Sequence, residues 1–302
     1  MFRRLLIILA LALLAASCSS SDVLATVNGE EITKSDLYDL RPAYEEDLTG
    51  VTGESLREDV SGLIVLTATR QAAERDFGLV IDDAMIADRL TNPPERYAAI
   101  LAPDLADEGT QRNRAVVTLL IDAVGSALIE QEAGGFAALL ADRPGAVTRS
   151  CVRHIAVATV EEGNDVLARL EQGEDFVTVA AEVSLDQASP EGLIVGPEGD
   201  CLTWLNAVGD EFATLAATAE LDVPVGPVAS GGGFSVLRVE DRIGPSSAAE
   251  LAADPMAYLD LGVASTVYSG WASETVRVAD VSLTPTLGSW SGVGFGISPP
   301  TE

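Results

Sequence analysis

Few side chains in this chain of 302 residues could carry acid–base, nucleophilic or metal chemistry. His154 is the single histidine and Lys34 the single lysine. A Ser-His-Asp triad would therefore have to use His154, and a metal site with two histidines is excluded. One lysine leaves little room for the phosphate-binding and Schiff-base chemistry that lysines perform. We expect neither a metal nor a cofactor.

The first of the three cysteines closes a targeting segment. Arg3 and Arg4 form a basic head, residues 5–16 are apolar, and small residues precede Cys18. This order is typical of a secretory signal, and the apolar run is too short to span a bilayer. The cysteine at the cut resembles a bacterial lipoprotein signal, although Ala15 stands where that family prefers Leu. We therefore predict a lipoprotein signal peptide over 1–18, an acyl anchor on Cys18 and a location outside the cytoplasm on the cell membrane. The alternative is an ordinary signal with an incidental cysteine.

The remaining cysteines, Cys151 and Cys201, form an even pair in a chain predicted to be exported. Such a pair indicates a disulfide in an oxidising compartment. Closing a loop of 50 residues would stabilise the fold by about 4 kcal/mol through loop-closure entropy. The alternative is two separate buried thiols. A metal site is disfavoured because the chain offers no second histidine and no Cys-x-x-Cys.

The composition is globular but very acidic. Hydrophobic residues make up 47% of the chain, enough for packed cores, and the length suits about two domains. The formal net charge is −29, with an isoelectric point near 4.1. Such a surface repels nucleic-acid phosphates, so nucleic acid is excluded as a partner. The strong acidity could keep a client-binding surface soluble or reflect a saline habitat, and the sequence leaves both open.

The first half of the chain is predicted to be helical after a short hairpin. Residues 23–27 and 30–33 favour strands, and Asn28-Gly29 between them is a strong hairpin signal. Thr33 or Ser35 can cap a first helix. Helical spacing of apolar residues then predicts helices to about residue 77, from 82 to 90, from 114 to 132 and from 136 to 140. We predict a helical N-terminal domain over 19–148.

The predicted secondary structure changes after residue 149. The pattern predicts an α+β domain at 149–242. Its predicted elements are, in order, a strand over 151–157, helices over 161–172 and 176–183, a loop over 187–200, a helix over 212–219 and a strand over 234–239. Helix returns from 248 to 275, with breaks at Pro255 and Gly262, inside a C-terminal segment over 243–284. We expect an irregular tail over 285–302, because it is rich in Gly, Ser and Pro.

Residues 151–241 resemble the parvulin family of peptidyl-prolyl isomerases. Three stretches carry the resemblance, and they occur in the family's order. The opening strand is matched by Arg153-His154-Ile155-Ala156-Val157, and the pair of helices by the run from Ala168 through Gly173, Asp175 and Phe176 to Ser184-Leu185-Asp186. The closing segment is matched by Gly226-Pro227-Val228 with Gly233-Phe234-Ser235-Val236-Leu237.

The resemblance implies a polar network with an altered member. His154 matches the first of the family's two histidines and Asp186 its acid-or-cysteine position. Ser235 stands where the second histidine belongs. In a plainer interpretation His154 is a structural histidine and Asp186 a turn residue after a helix.

The resemblance also implies a proline pocket, equally altered. Phe212 matches the pocket Phe and Trp204 the aromatic wall. Val208 or Ala207 replaces the pocket Met, and Cys201 replaces the pocket Leu. Phe212 and Trp204 could instead be ordinary core residues. Whether the isomerase site is active therefore stays open.

Residues 23–90 resemble the N-terminal chaperone module of the exported foldases SurA and PrsA, through the hairpin and the helix ending Gln71-Ala72-Ala73-Glu74-Arg75-Asp76-Phe77-Gly78. Taken together, the resemblances imply a helical chaperone module in which the parvulin-like domain is inserted, with the C-terminal helix returning to that module. The function they imply is an exported, lipid-anchored foldase or chaperone that binds unfolded or proline-containing polypeptides. The alternative is a catalytically inactive parvulin-like binding scaffold. A solute-binding lipoprotein fits less well because the chain lacks a two-lobed α/β pattern.

Overall fold

The computed structural model describes residues 22–46, 53–102, 106–196 and 199–300. The predicted signal peptide and Cys18 lie outside the described residues. Within them, no helix combines the length and apolar character needed to cross a bilayer.

Helices and strands are named in chain order. The helices of the described residues are α1 (Lys34–Leu40), α2 (Ala43–Glu46), α3 (Gly53–Phe77), α4 (Asp83–Thr91), α5 (Glu95–Ala98), α6 (Glu108–Gln131), α7 (Gly135–Asp142), α8 (Val160–Glu171), α9 (Phe176–Val183), α10 (Asp210–Thr218), α11 (Ala248–Ala253), α12 (Pro255–Tyr258) and α13 (Leu261–Val278). The strands are β1 (Val23–Val27), β2 (Glu30–Thr33), β3 (Arg149–Val157), β4 (Val225–Ser230), β5 (Gly233–Ile243), β6 (Val281–Leu283), β7 (Ser289–Ser291) and β8 (Gly296–Ser298). Helices with antiparallel sheets confirm the predicted α+β class.

The chain forms two compact units. Of the described residues, those before 72, those between 102 and 113 and those from 274 to 300 form the first unit. Those of 72–101 and 114–273 form the second.

The first unit is built on a three-stranded sheet in the order β2-β1-β6. Asn28 and Gly29 have φ values of 50° and 89°, as a tight hairpin turn requires, so the predicted hairpin is confirmed. The Thr33 hydroxyl accepts from the Asp36 amide, while the Asp36 carboxylate accepts from the Thr33 amide, so a capping box starts α1. Sequence patterning did not reveal β6, which pairs with β1 from the far end of the chain.

The expectation of an irregular tail from residue 285 is wrong for part of that segment. β7 and β8 pair as an antiparallel hairpin in which Trp290 lies opposite Ile297. Both side chains pack against the core cluster that contains Leu24, Val60 and Ile64. Burial of this apolar pair stabilises a hairpin that composition alone does not indicate.

The second unit contains a sheet in the order β3-β5-β4, with both pairings antiparallel. The predicted sequence of strand, two helices, loop, helix and strand is confirmed, and β4 is an addition. Because side chains alternate across a strand, the sheet has two apolar faces. One face packs Ile155 and Val236 with side chains of α8 and α9. The other packs Val152 and Leu237 with side chains of α10.

Helices α11 to α13 follow the sheet. The break expected at Pro255 is confirmed, because α12 begins there. The break expected at Gly262 is wrong, since the interruption falls at Leu259 and Asp260 and Gly262 lies inside α13.

In this helical segment, Leu251, Leu259 and Ala264 are fully buried in a core cluster with Phe136 of α7. These helices pack against the turn that follows α7, where Val147 joins the same core cluster and the Asp260 amide donates to the Ala146 carbonyl.

Candidate functional site

Strand alternation places His154 of β3 and Ser235 of β5 on the sheet face that α10 covers. His154 Nε2 lies 2.8 Å from Asp186 Oδ2, and His154 Nδ1 lies 3.3 Å from Ser235 Oγ. The Phe212 ring stands edge-on to the imidazole, with ring centroids 6.1 Å apart. The structure therefore brings together four of the six residues predicted to form the isomerase site.

Asp186 is fixed as an anion directed at the imidazole. Asp186 lies in the loop after α9. In that loop the Ser189 hydroxyl (2.6 Å) and the Ala188 amide (2.9 Å) donate hydrogen bonds to its carboxylate. The hydrogen bond from Ser189, followed by those from Ala188 and His154, lowers the pKa of Asp186 to about 2, although burial acts in the opposite direction. Asp186 is thus ionised at neutral pH and orients the histidine.

Ser235 closes the network on the other side of the ring. Its hydroxyl is 2.6 Å from the hydroxyl of Ser230 in β4. With its proton on Nε2, His154 donates to Asp186 and accepts at Nδ1 from Ser235, which in turn accepts from Ser230. Both ring nitrogens therefore have partners inside the protein.

Ser235, His154 and Asp186 are hydrogen-bonded in the order of a Ser-His-Asp triad, but this arrangement cannot act as the active site of a hydrolase. Ser235 is 0% exposed and His154 is 7% exposed. A nucleophilic serine must reach the substrate carbonyl, and Ser235 is sealed within the sheet.

The predicted pocket residues lie in different surroundings. Phe212 is 0% exposed and Val208 packs against the same core cluster. Trp204 instead donates from Nε1 to the Tyr258 carbonyl (3.4 Å), and the guanidinium of Arg149 lies 5.2 Å from its ring centroid. Trp204 therefore contacts the end of α12 and the start of β3, apart from the contacts of His154.

The predicted disulfide between Cys151 and Cys201 is confirmed, with Cα atoms 4.6 Å apart. It links the start of β3 to the end of the loop after α9. Cys201, at the position that the resemblance assigns to a pocket Leu, is thus tied covalently to β3.

Sequence reasoning missed three serines that complete the network. Ser184 accepts from the amides of Ala156 and Asp186, Ser189 donates to Asp186, and Ser230 contacts Ser235. Ser184 and Ser189 stand within three positions of Asp186, a local signal that could have been used. Ser230 becomes visible only through the pairing of β4 with β5.

Comparison with known proteins places this geometry in context. No protein-family profile matches the chain. Chaperone SurA of Salmonella choleraesuis (strain SC-B67) is 26% identical over 259 residues, which cover 74% of this chain and 58% of the relative. The chain is SurA-like. The predicted resemblance to SurA is thereby confirmed, while the chain spans little more than half the length of this curated relative.

Two solved structures are also similar. Peptidylprolyl isomerase PrsA from Bacillus cereus is 15% identical, with 89% of this chain and 96% of that chain covered and a TM-score of 0.38. A PpiC-type peptidyl-prolyl cis-trans isomerase domain is 26% identical, with 33% of this chain and 95% of that chain covered and a TM-score of 0.28.

Proposed function

We propose that this SurA-like chain is an exported, lipid-anchored chaperone that binds unfolded client proteins. Residues 149–242 would form a parvulin-like domain, inserted in a helical module, with at most weak peptidyl-prolyl isomerase activity. The similarity to a chaperone over most of the chain and the predicted lipoprotein signal support this role.

One observation carries the low isomerase activity. The resemblance implies a pair of histidines, and the second position is Ser235, which is completely buried and hydrogen-bonded to Ser230. Peptide-bond rotation has a barrier of about 18–20 kcal/mol, because the twisted amide loses its resonance. A catalyst must grip the proline ring and stabilise the twisted amide. Phe212, which would grip the ring, is 0% exposed and is therefore covered.

A second candidate is a catalytically inactive binding scaffold. The closed chain of hydrogen bonds from Ser230 to Asp186 favours it, since both ring nitrogens of His154 are already bonded within the protein. In that role the network stabilises the domain and the client binds elsewhere.

Two measurements on residues 22–302 test the proposal. The first is suppression of the aggregation of a chemically denatured client, which should be retained. The second is the cis/trans isomerisation rate of proline peptides, for the unchanged chain, for His154→Ala and for the matched control Asp165→Asn on the exposed side of α8.

The results separate the candidates. Weak catalysis that disappears in His154→Ala alone supports the foldase, and rates at background in all three proteins support the scaffold. Turnover at the rate of an active parvulin would contradict the interpretation that Ser235, in place of a second histidine, lowers the isomerase activity. If the unchanged chain does not suppress aggregation, the chaperone role itself is contradicted.

A further inference from the structure

Two adjoining cavities lie in the second unit, away from the contacts of His154. Their volumes are about 420 Å³ and 260 Å³, and both are lined by Arg143 and Asn206. Trp204, Val263 and Val267 line the larger one, and Asp210 and Glu211 line the smaller. We call the two together the groove. Their sizes are those of sites that bind a few side chains.

The apolar end of the groove has fixed walls. The indole of Trp204 is held by Tyr258 and Arg149, as described above. Asn206 donates to the Gly145 carbonyl (3.1 Å) and to Asp260 Oδ2 (3.2 Å). The other oxygen of Asp260 accepts from the Gly262 and Val263 amides at the start of α13. Because these walls are held before any ligand arrives, binding there costs little side-chain entropy.

The other end of the groove is acidic. Asp142, Asp210 and Glu211 line it against a single guanidinium, that of Arg143. The guanidinium lies 3.6 Å from Asp210, whose side chain is 72% exposed. Three carboxylates against one cation leave this end negative, so it attracts a positively charged group.

From this arrangement we infer that the groove binds an extended client segment in which an apolar side chain stands two positions from a lysine or arginine, so that both side chains point to the same face of the segment. The apolar side chain occupies the cavity beside Trp204, Val263 and Val267, and the cation lies between Asp142 and Glu211. A lysine stem can cover apolar surface while its ammonium group stays among carboxylates and water. This inference rests on the proposed chaperone function and specifies which client segments are preferred.

Three labelled nonapeptides test the inference by fluorescence anisotropy with residues 22–302. They share a Gly/Ser background and differ at the two positions that flank the central residue, which are Leu and Lys, Leu and Glu, or Ser and Lys. We call them the Leu-Lys, Leu-Glu and Ser-Lys peptides. We expect the Leu-Lys peptide to bind about tenfold more tightly than either other peptide, equivalent to about 1.4 kcal/mol. The advantage over Leu-Glu should shrink at high salt, because the rim charges are exposed.

Two variants separate the ends of the groove. Asp142→Asn with Glu211→Gln should weaken Leu-Lys binding about fivefold and remove its advantage over Leu-Glu. Thr266→Phe, at an exposed position lining the larger cavity, should weaken both leucine peptides by filling the space. The control pair Asp165→Asn and Glu171→Gln removes the same number of charges from α8 and should leave all three affinities unchanged.

The outcomes distinguish the groove from the chaperone role. If both groove variants bind the Leu-Lys peptide as the unchanged chain does, while aggregation suppression persists, the groove assignment is overturned and the proposed function stands. If the control pair lowers affinity as much as the groove pair, the preference reflects net charge and the groove assignment is again overturned. If the unchanged chain neither binds peptides nor suppresses aggregation, the proposed function fails and the inference with it.

Discussion

The histidine at the centre of the candidate site is held on both sides by groups that the protein supplies. On one side the Asp186 carboxylate accepts from the ring, and on the other the Ser235 hydroxyl lies beside Nδ1. Each partner is itself fixed by another serine, Ser189 or Ser230. A chain of satisfied hydrogen bonds in a buried setting stabilises one side-chain arrangement strongly.

Asp186→Asn should destabilise the protein in a way that depends on pH. The folded pKa of Asp186 is about 2, below the ordinary value of 3.8. A depressed carboxyl pKa contributes stability that is present above the ordinary value and is lost as pH falls from about 4 toward 2. The shift corresponds to about 2 kcal/mol at pH 7, with about half of it lost by pH 3.

Urea unfolding of the unchanged chain and of Asp186→Asn, at pH 7 and at pH 3, measures this difference. The exposed Asp165→Asn on α8 serves as control and should change little at either pH. A stability difference for Asp186→Asn that is equal at both pH values would show that the carboxylate's charge is not what stabilises the network.

At the scale of elements, each unit has a place where two segments of the chain are held directly against each other. In the first unit, the start of α6 lies directly against the end of α1, and a Cβ on Gly109 would lie 1.8 Å from the Asp39 carbonyl oxygen. In the second, the disulfide and the backbone bridges Ser150–Thr203 and Arg153–Leu193 fasten the loop after α9 to β3. That loop carries Ser189, so its attachment also holds Asp186 in place.

Gly109→Ala should lower the free energy of unfolding by about 3 kcal/mol, because the added methyl group overlaps backbone that cannot move aside alone. Gly62→Ala is the matched control in α3, where an added Cβ meets nothing within 4 Å. The control should gain about 0.5–1 kcal/mol, since alanine favours helix over glycine. Chemical denaturation measures both, and equal effects in the two variants would contradict the close contact.

Removing the disulfide with Cys151→Ser and Cys201→Ser together should cost about 2–4 kcal/mol, because the unfolded chain regains the freedom of a loop of 50 residues. Reducing agent should lower the stability of the unchanged chain by the same amount and leave the double variant unaffected. If reducing agent also destabilises the double variant, the effect does not arise from this bond.

The whole molecule combines a parvulin-like domain with helices that precede and follow it. Arg149 begins β3, Ile243 ends β5, and the two are direct cross-strand partners at one end of the β3–β5 pair. Since directly opposed residues in a sheet lie about 5 Å apart, the chain enters and leaves this domain at nearly the same point. That geometry supports the proposal that the domain is an insertion.

Replacing residues 150–242 with a short Gly/Ser linker should therefore leave a folded helical protein that keeps most of the aggregation suppression. The same variant should lose its preference for the Leu-Lys peptide, because the deletion removes Trp204 and Asp210 from the groove. Circular dichroism reports whether the remainder folds, and light scattering of a denatured client reports its activity. A folded deletion variant without any suppression would assign client binding to the parvulin-like domain instead.

The predicted acyl anchor gives a further test at the scale of the cell. Cys18→Ala should move the protein from the membrane fraction to the soluble fraction, because the anchor cannot form. Ser19→Ala, next to the cut, serves as control and should stay with the membrane. Equal membrane retention of Cys18→Ala and the unchanged chain would contradict lipidation.

Local signals in the sequence were enough for the hairpin at Asn28-Gly29, the helices of the parvulin-like domain and the pairing of Cys151 with Cys201. Each rests on residues close in sequence or on a chemistry with few alternatives, as the disulfide does. The resemblance also named His154, Asp186, Ser235 and Phe212 as neighbours, and the structure joins them.

Long-range pairing decided the rest. β6 adds to β1 across more than 250 residues, Trp290 opposite Ile297 orders part of a tail that composition describes as irregular, and Ser230 reaches Ser235 only through the β4–β5 register. Trp204, assigned to the proline pocket by resemblance, contacts Tyr258 because α12 packs beside it. Such contacts depend on which surfaces the folded chain brings together, and no local pattern of residues encodes that.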